Sequence, residues 1–480
     1  MVNRKSTNKN NMGIPNIYKT QNSLSHNTTI NSRHSKTRKI ENVLILQGGG
    51  SLGAFGCGVI KGLVKNGIYF DIVCGTSIGA INGAVFVGNK NEDVRPEENL
   101  ENFWMEIAES TYNILPDIFF LDFDSTKKTK NYNLPIPIWR EVKASSFNST
   151  IFGVPKMFVP RWNKFWSWWR HTPKNDIVVG NDITKNNNDN DSTNYNFGEL
   201  IEELIPSNWT YIYDHSPLKK TLDKYIDYKR LSSSTIKKDD DTKRYKDKQN
   251  NSNSNNQSQS TESTINDNNT RLIVTAVNVL TSEPLVFDSY KISIQPRHLL
   301  GVSGYPVYGF PWVEVEEGVY GWDGSLLNNT PLRQVLQASP RNDKNIFIVE
   351  NYPRRIDQLP SNMFEVLDRS RDIIFSDKTK FTVRMSKIMT RQIKLIEDLY
   401  DIFEIADLSK VNSEKINRIK SEYEKIIYNY GAQILTINRI KRERIHDPNI
   451  LKNADFSPKT IRNLIEDGER KAIDCINSTQ

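Results

Sequence analysis

Residues Val43–Gly53 read VLILQGGGSLG, and residues Phe70–Gly79 read FDIVCGTSIG. Each is a short apolar run that stops at glycine. A run of four or five apolar residues closed in this way suits a strand buried on both faces, as in a parallel sheet. Ser51–Asn66 follows the first run as a helix, with small residues on one side and Lys61 and Lys65 outside, closed by Gly67. Ile78–Val87 follows the second as a small-residue helix. Strand, helix, strand, helix at this spacing predicts a right-handed parallel unit and an α/β fold, a largely parallel sheet sandwiched by helices. Asn42–Ile60 is uncharged over a length that would cross a bilayer, but its six glycines favour the strand–turn–helix reading.

The two glycine turns carry the chemistry. Gly48-Gly49-Gly50-Ser51-Leu52-Gly53 matches G-x-G-x-x-G, whose bare amides at a helix start face incoming negative charge. Either a dinucleotide phosphate or a reaction oxyanion fits such amides. The dinucleotide reading needs an acid at the carboxyl end of the second strand. Asp71 instead stands at that strand's start. At its carboxyl end stands Gly75-Thr76-Ser77-Ile78-Gly79, a G-x-S-x-G between strand and helix, the setting of a nucleophile elbow. Ser77 is the candidate nucleophile, and Gly75 and Gly79 leave room for its tight turn.

A serine hydroxyl needs a base. Of six histidines, His26 and His34 lie in a polar tail, His171 follows a tryptophan cluster, His215 sits in a polar turn, and His446 lies in a charged helix. His298, inside Pro296–Val302, reads as a helix-surface residue. None has a glycine-framed position at a strand end. Asp323 does, in Val319–Ser325 (VYGWDGS). On its own Asp-Gly signals a tight turn; beside the other two motifs it becomes the candidate base.

With G-G-G-x-x-G, G-x-S-x-G and a distal Asp323-Gly324, the sequence resembles the patatin-like phospholipase family, over about 43–375 less the insertions. The stretches Gly301–Pro306 (GVSGYP) and Trp322–Pro331 (WDGSLLNNTP) share the resemblance. Tyr211–Leu218 is loosely similar to a bacterial-type subgroup with an extra C-terminal region. The resemblance implies a Ser77–Asp323 dyad and an oxyanion hole from amides around Gly49, Gly50 and Ser51, with Gly48, Gly53, Gly75, Gly79 and Gly324 as motif glycines. It implies a lipid acyl hydrolase of the phospholipase A or lysophospholipase kind that uses no metal and no cofactor. Its substrate is a phospholipid or another acyl-ester lipid. Two positions depart from the pattern: Leu52 where many members carry Arg or Lys, and Ser325 where Gly or Ala is usual. A thioesterase on the same site, a dinucleotide-binding oxidoreductase and a non-catalytic membrane-binding scaffold are the alternatives.

Composition bounds the rest. The net charge is +7, of which Met1–Ile40 contributes +8, leaving −1 on the remainder. A folded nucleic-acid binder would carry its basic excess on the body, so nucleic acid is not an expected partner. Met1–Ile40, Thr184–Asn196 and Ser232–Thr270 are polar stretches with little to bury, and read as a disordered tail and surface insertions. The expected domains are a basic tail to residue 40, a catalytic domain over 41–350 with insertions near 150–197 and 232–270, and a mainly helical region over 351–480. In that region Leu395, Leu399, Ile402, Phe403 and Ile405 form an apolar stripe. Three cysteines without zinc-type spacing, Cys57 and Cys74 in apolar contexts, suit a reduced intracellular chain. Phe152–Trp169 (FGVPKMFVPRWNKFWSWW) interleaves four tryptophans with Lys156, Arg161 and Lys164, Arg170 adjoining. It reads either as a cap over the core or as a peripheral membrane contact over 152–170. The expected location is the cytoplasm, with or without a membrane surface.

Overall fold

The computed structural model describes residues 39–111, 143–161, 209–232, 270–338, 341–430, 432–443 and 451–479. The first apolar run becomes β1 (Ile40–Leu46), followed by α1 (Gly53–Lys65), β2 (Ile72–Thr76) and α2 (Ile78–Val87). Next along the chain come α3 (Pro96–Glu109), α4 (Ala144–Phe152), the short pair β3 (Val159–Pro160) and β4 (Tyr213–Asp214), and α5 (Ser216–Tyr225). Then follow β5 (Arg271–Asn278), β6 (Pro284–Asp288), α6 (Pro296–Ser303), β7 (Val313–Glu316), β8 (Val319–Asp323), α7 (Leu332–Gln337) and β9 (Asp343–Glu350). The chain continues through α8 (Met363–Phe375), α9 (Lys380–Ile405), α10 (Ser413–Tyr430), β10 (Ile434–Lys441) and α11 (Pro458–Thr479).

Eight strands form one sheet in the order β10-β9-β1-β2-β5-β8-β7, with β6 also on β5. From β10 to β5 the pairs are parallel; β6, β8 and β7 run antiparallel. The pleat sends Leu44 and Leu46 of β1 into one apolar cluster, with α1, α2, α3 and α11. Val43 and Ile45 enter a second, with Leu332 and Val335 of α7. Helices thus cover both faces, which is why these strands read as unbroken apolar runs. Cys57 and Cys74 are buried thiols.

Register decides where the catalytic candidates fall. β6 pairs with Ile273–Val277 along one edge of β5. β2 (on Arg271–Thr275) and β8 (on Ala276–Asn278) therefore share the other edge. Thr76 lies opposite Thr275 and Asp323 opposite Ala276, so β2 hands over to β8 where the chain turns at Ser77.

The region after residue 350 is largely helical but also supplies β10, whose alternating, half-exposed sequence ILTINRIK pairs in parallel with β9 at the sheet edge. Its last helix, α11, crosses α1 at close range: a Cβ on Gly58 would lie 1.9 Å from the Ile465 carbonyl oxygen. The stripe on α9 lies mainly outside the core, with Leu395, Leu399, Ile402 and Ile405 exposed; the helix meets α10 through Tyr400 stacked on Tyr423. Among the described residues no helix is long and apolar enough to cross a membrane. The basic tail up to Arg38, nearly all of the two polar insertions and Trp162–Arg170 lie outside the described residues; Ile40, read as the end of the tail, instead opens β1. The described part of the aromatic stretch packs inward: Phe152, Val154, Met157 and Phe158 are buried. Lys156 pairs with Glu106 at 3.1 Å, and Arg161 lies over the rings of Trp209 and Tyr211.

Candidate active site

Ser77 occupies the one-residue hinge between β2 and α2, at φ 56 and ψ −132. Positive φ costs a side-chain-bearing residue energy and is held only where the surroundings enforce it. Close packing enforces it here. A Cβ on Gly75 would lie 2.4 Å from backbone atoms of Gly79, and one on Gly79 would lie 2.4 Å from the Leu46 carbonyl oxygen. The turn is pressed against the end of β1, beside the glycine loop that follows that strand.

Asp323 ends β8 and is only 1% exposed. Its amide donates to the Gly304 carbonyl at 3.1 Å, and its Oδ1 accepts from the Ser325 amide at 2.8 Å. Burial moves its pKa from 3.8 up to about 6, while hydrogen bonds from the Ser77 hydroxyl and the Ser325 amide pull the other way. The structure thus places Ser77 in the same cavity wall as a buried carboxylate whose pKa burial raises to about 6.

Of the glycine loop, Gly49 and Gly50 line the adjoining cavity, whereas Ser51 is buried and donates its hydroxyl to the Lys452 carbonyl at 3.0 Å. The loop is clamped by amide side chains that sequence reasoning missed. Asn329 Oδ1 accepts from the Gly48 amide at 2.9 Å and from the Ser325 hydroxyl at 3.1 Å, while its Nδ2 donates to the Phe375 carbonyl at 2.9 Å. Asn351 Nδ2 donates to the Gln47 and Gly48 carbonyls, both at 3.1 Å, and its own amide donates to Gln47 Oε1 at 2.9 Å. Leu52, where a cation is common in the family it resembles, is buried with Tyr352 and Phe375. Ser325 lines the cavity with Asp323 and donates its hydroxyl to Asn329 Oδ1.

The cavity has a volume of about 300 Å³. Met157, Phe158, Leu218, Phe310, Phe375 and Phe456 are among its apolar lining, with Ser77 and Asp323 in its wall. Late segments complete it: Leu451, Asn453 and Ala454 line it too, and Asn453 Nδ2 donates to the buried Tyr352 hydroxyl.

The histidines divide. His298 is buried rather than on the helix surface, which corrects the sequence expectation. Its Nδ1 accepts from the Gln295 amide at 3.0 Å in a capping box, and its ring stacks on Phe287 with centroids 4.6 Å apart. His215, read as part of a polar turn, lines the cavity instead, stacked on Phe310, with burial lowering its pKa to about 4. Ser216 opens α5 with its amide on Asp214 Oδ1 at 2.8 Å. His26, His34, His171 and His446 lie outside the described residues. Asp71 accepts from the Asn42 amide at 2.9 Å and pairs with Lys39 at 3.1 Å, at the amino ends of β1 and β2. It serves the end of these strands opposite to the glycine loop.

Comparison with known proteins adds the following. A family model described as patatin-like phospholipase matches residues 44–336. Over 53 residues, 11% of the chain, the sequence is 51% identical to Lysophospholipase nte1 of Aspergillus terreus (strain NIH 2624 / FGSC A1156). That match spans 3% of the fungal protein's length. Among solved structures, VipD from Legionella pneumophila aligns over 89% of this chain and 67% of its own, at 13% identity and a TM-score of 0.26.

Proposed function

The chain belongs to the patatin-like phospholipase family, and from that premise we propose that it is a serine hydrolase that cleaves fatty-acyl esters, of the phospholipase A or lysophospholipase kind, through Ser77 and Asp323. One observation carries the reading: Ser77, on its strained strand-to-helix turn, and the buried Asp323 lie together in the wall of one apolar cavity.

In the first half-reaction the Ser77 hydroxyl oxygen attacks the ester carbonyl carbon while Asp323 accepts its proton. Negative charge builds on the carbonyl oxygen, where amides of the Gly49–Ser51 loop hold it. Gly49 and Gly50 are the members of that loop that line the cavity. The tetrahedral adduct collapses, the alcohol leaves with the proton from Asp323, and the acyl group stays on Ser77. Water then attacks the acyl-enzyme, losing a proton to Asp323; the second adduct collapses, the Ser77 oxygen takes that proton back as it leaves, and the fatty acid departs. A base ionising near pH 6 is stronger than an ordinary aspartate yet still mostly ionised at neutral pH, which suits proton abstraction. The apolar lining matches an acyl chain. In the same reading the catalytic domain over 41–350 borrows part of its cavity wall from the 351–480 region, and the substrate is a phospholipid or another acyl-ester lipid.

A fluorophosphonate probe tests the assignment, because it reacts only with an activated serine. The labelled peptide should contain Ser77, and both labelling and lysophospholipid hydrolysis should vanish in Ser77→Ala. Labelling elsewhere, or turnover by a folded Ser77→Ala protein at the parent rate, removes Ser77 from the mechanism.

A further inference from the structure

Along α8 the residues Met363, Val366, Leu367, Ile373 and Ile374 recur at helical spacing, a pattern that ordinarily marks the buried side of a helix. Here that side faces out: the five are exposed by 65, 42, 43, 52 and 55%. The inward side is polar. Asp368 and Asp372 are buried, and the Lys452 ammonium approaches them at 2.9 and 2.6 Å. Arg369 donates to the Pro353 and Arg354 carbonyls, and Asn362 caps the helix by accepting from the Glu365 amide at 3.0 Å. These contacts set the rotation of the helix, so the outward apolar face is built into the fold.

The same helix ends at the cavity. Arg371 and Phe375 line it, and the Arg371 guanidinium sits 6.0 Å from the centre of the Tyr308 ring. Val307, 74% exposed, also lines the cavity and so marks its rim. Beyond the helix, Lys378, Lys380 and Arg384 are exposed around Phe381, itself 71% exposed. From Lys378 to Ile396 there are six basic residues and no acid. A contiguous apolar surface of this kind marks an interaction site. Apolar side chains bordered by cations, at the mouth of a site for acyl lipids, match an anionic bilayer in both hydrophobicity and charge. Resting on the acyl-hydrolase reading, we propose that α8 and the start of α9 form an interfacial docking surface that seats the cavity mouth on an anionic membrane. Lipid then passes from the bilayer into the cavity past Val307 and Phe375.

The test uses the full chain carrying Ser77→Ala, so that vesicles stay intact, sedimented with vesicles of phosphatidylcholine alone or mixed with phosphatidylserine. Binding should be at least about tenfold tighter to the mixed vesicles and should weaken with salt. Adding Ile373→Asp and Ile374→Asp should weaken it at least about tenfold, by placing charge in the apolar contact. Adding Lys380→Glu and Arg384→Glu should remove the preference for phosphatidylserine. With Ser77 restored, each variant should hydrolyse a soluble short-chain ester at the parent rate. Vesicle binding unchanged by the isoleucine pair overturns the proposal. So does a marked drop in melting temperature for that pair, which would mean that another segment of the chain covers the face. Conversion of a dimer to a monomer by the pair would assign the face to a second copy instead. If the isoleucine pair does not fold, the lysine–arginine pair decides, and an intact phosphatidylserine preference sinks the idea. Lipid-dependent binding without any ester hydrolysis by the parent would strike the hydrolase reading and leave the docking surface standing; hydrolysis without vesicle binding would do the reverse.

Discussion

Replacing Asp323 by Asn should raise stability while it abolishes activity. The carboxylate is 1% exposed, and burial moves its pKa from 3.8 to about 6. In the unfolded chain the proton leaves near 3.8; in the folded protein it is held until about 6. Between these values the folded state binds more protons than the unfolded one, so stability falls as pH rises, and the full loss stands above the folded pKa. At about 1.4 kcal/mol per pH unit the gap corresponds to roughly 3 kcal/mol. Asparagine keeps the shape, carries no charge, and can still accept from the Ser325 amide. Asp323→Asn should therefore be up to roughly 3 kcal/mol more stable than the parent at about pH 7.5, with the advantage gone at about pH 4 and below. Ester hydrolysis should drop by about a thousandfold or more, as when one member of an interdependent pair is lost. The parent's kcat/KM should fall about tenfold per pH unit on the acid side of pH 6, as Asp323 takes up its proton. Denaturant unfolding of both proteins across this pH range, beside an ester assay, measures all three. A stability difference flat from acid to neutral pH, or a less stable Asp323→Asn at neutral pH, refutes a buried, reluctant carboxylate.

Other substitutions probe the frame around the dyad. Asn329→Ala strips partners from the Gly48 amide, the Ser325 hydroxyl and the Phe375 carbonyl; it should cost about 2 kcal/mol and lower kcat/KM by about tenfold or more, and unchanged kinetics would mean that the loop holds itself. Gly58→Ala places a methyl where the Ile465 carbonyl already stands, so α1 and α11 must part, with a cost of about 3 kcal/mol in denaturant unfolding; an unshifted transition would contradict the close crossing. His298→Ala removes a buried ring stacked on Phe287 as well as a cap, and should lower stability by about 3 kcal/mol while leaving ester turnover untouched; a folded but inactive protein would bring a histidine base back into the mechanism.

The strand–turn–helix units were legible because their signals are local: apolar runs stopped by glycine, and G-x-S-x-G at a strand end. Asp323 was legible only in company, since Asp-Gly alone marks many turns. What escaped was set by distance along the chain. Gln47 and Asn351 clamp the glycine loop across 304 residues, and an isolated amide side chain announces no partner. His215 looked polar because its neighbours do, yet the fold turns it into an aromatic cavity wall. On α8 the helical period was present, but period tells which residues share a side and not which side is buried. That choice was made by Lys452, which draws Asp368 and Asp372 inward.

The tie between Ser51 and Lys452 spans 401 residues, and it fixes when a ribosome has made a working site. The elbow and glycine loop emerge early, but the turn carrying Leu451, Asn453 and Ala454 that walls the cavity follows on the order of a minute later at ordinary rates of synthesis. During that interval the nascent chain carries Ser77 without a finished cavity wall, so on the proposed acyl-hydrolase reading ester hydrolysis is expected only once α11 has docked on α1. A product of the same message ending before residue 451 would hold Ser77 without that part of the cavity wall, and by the same reading should not turn over lipid.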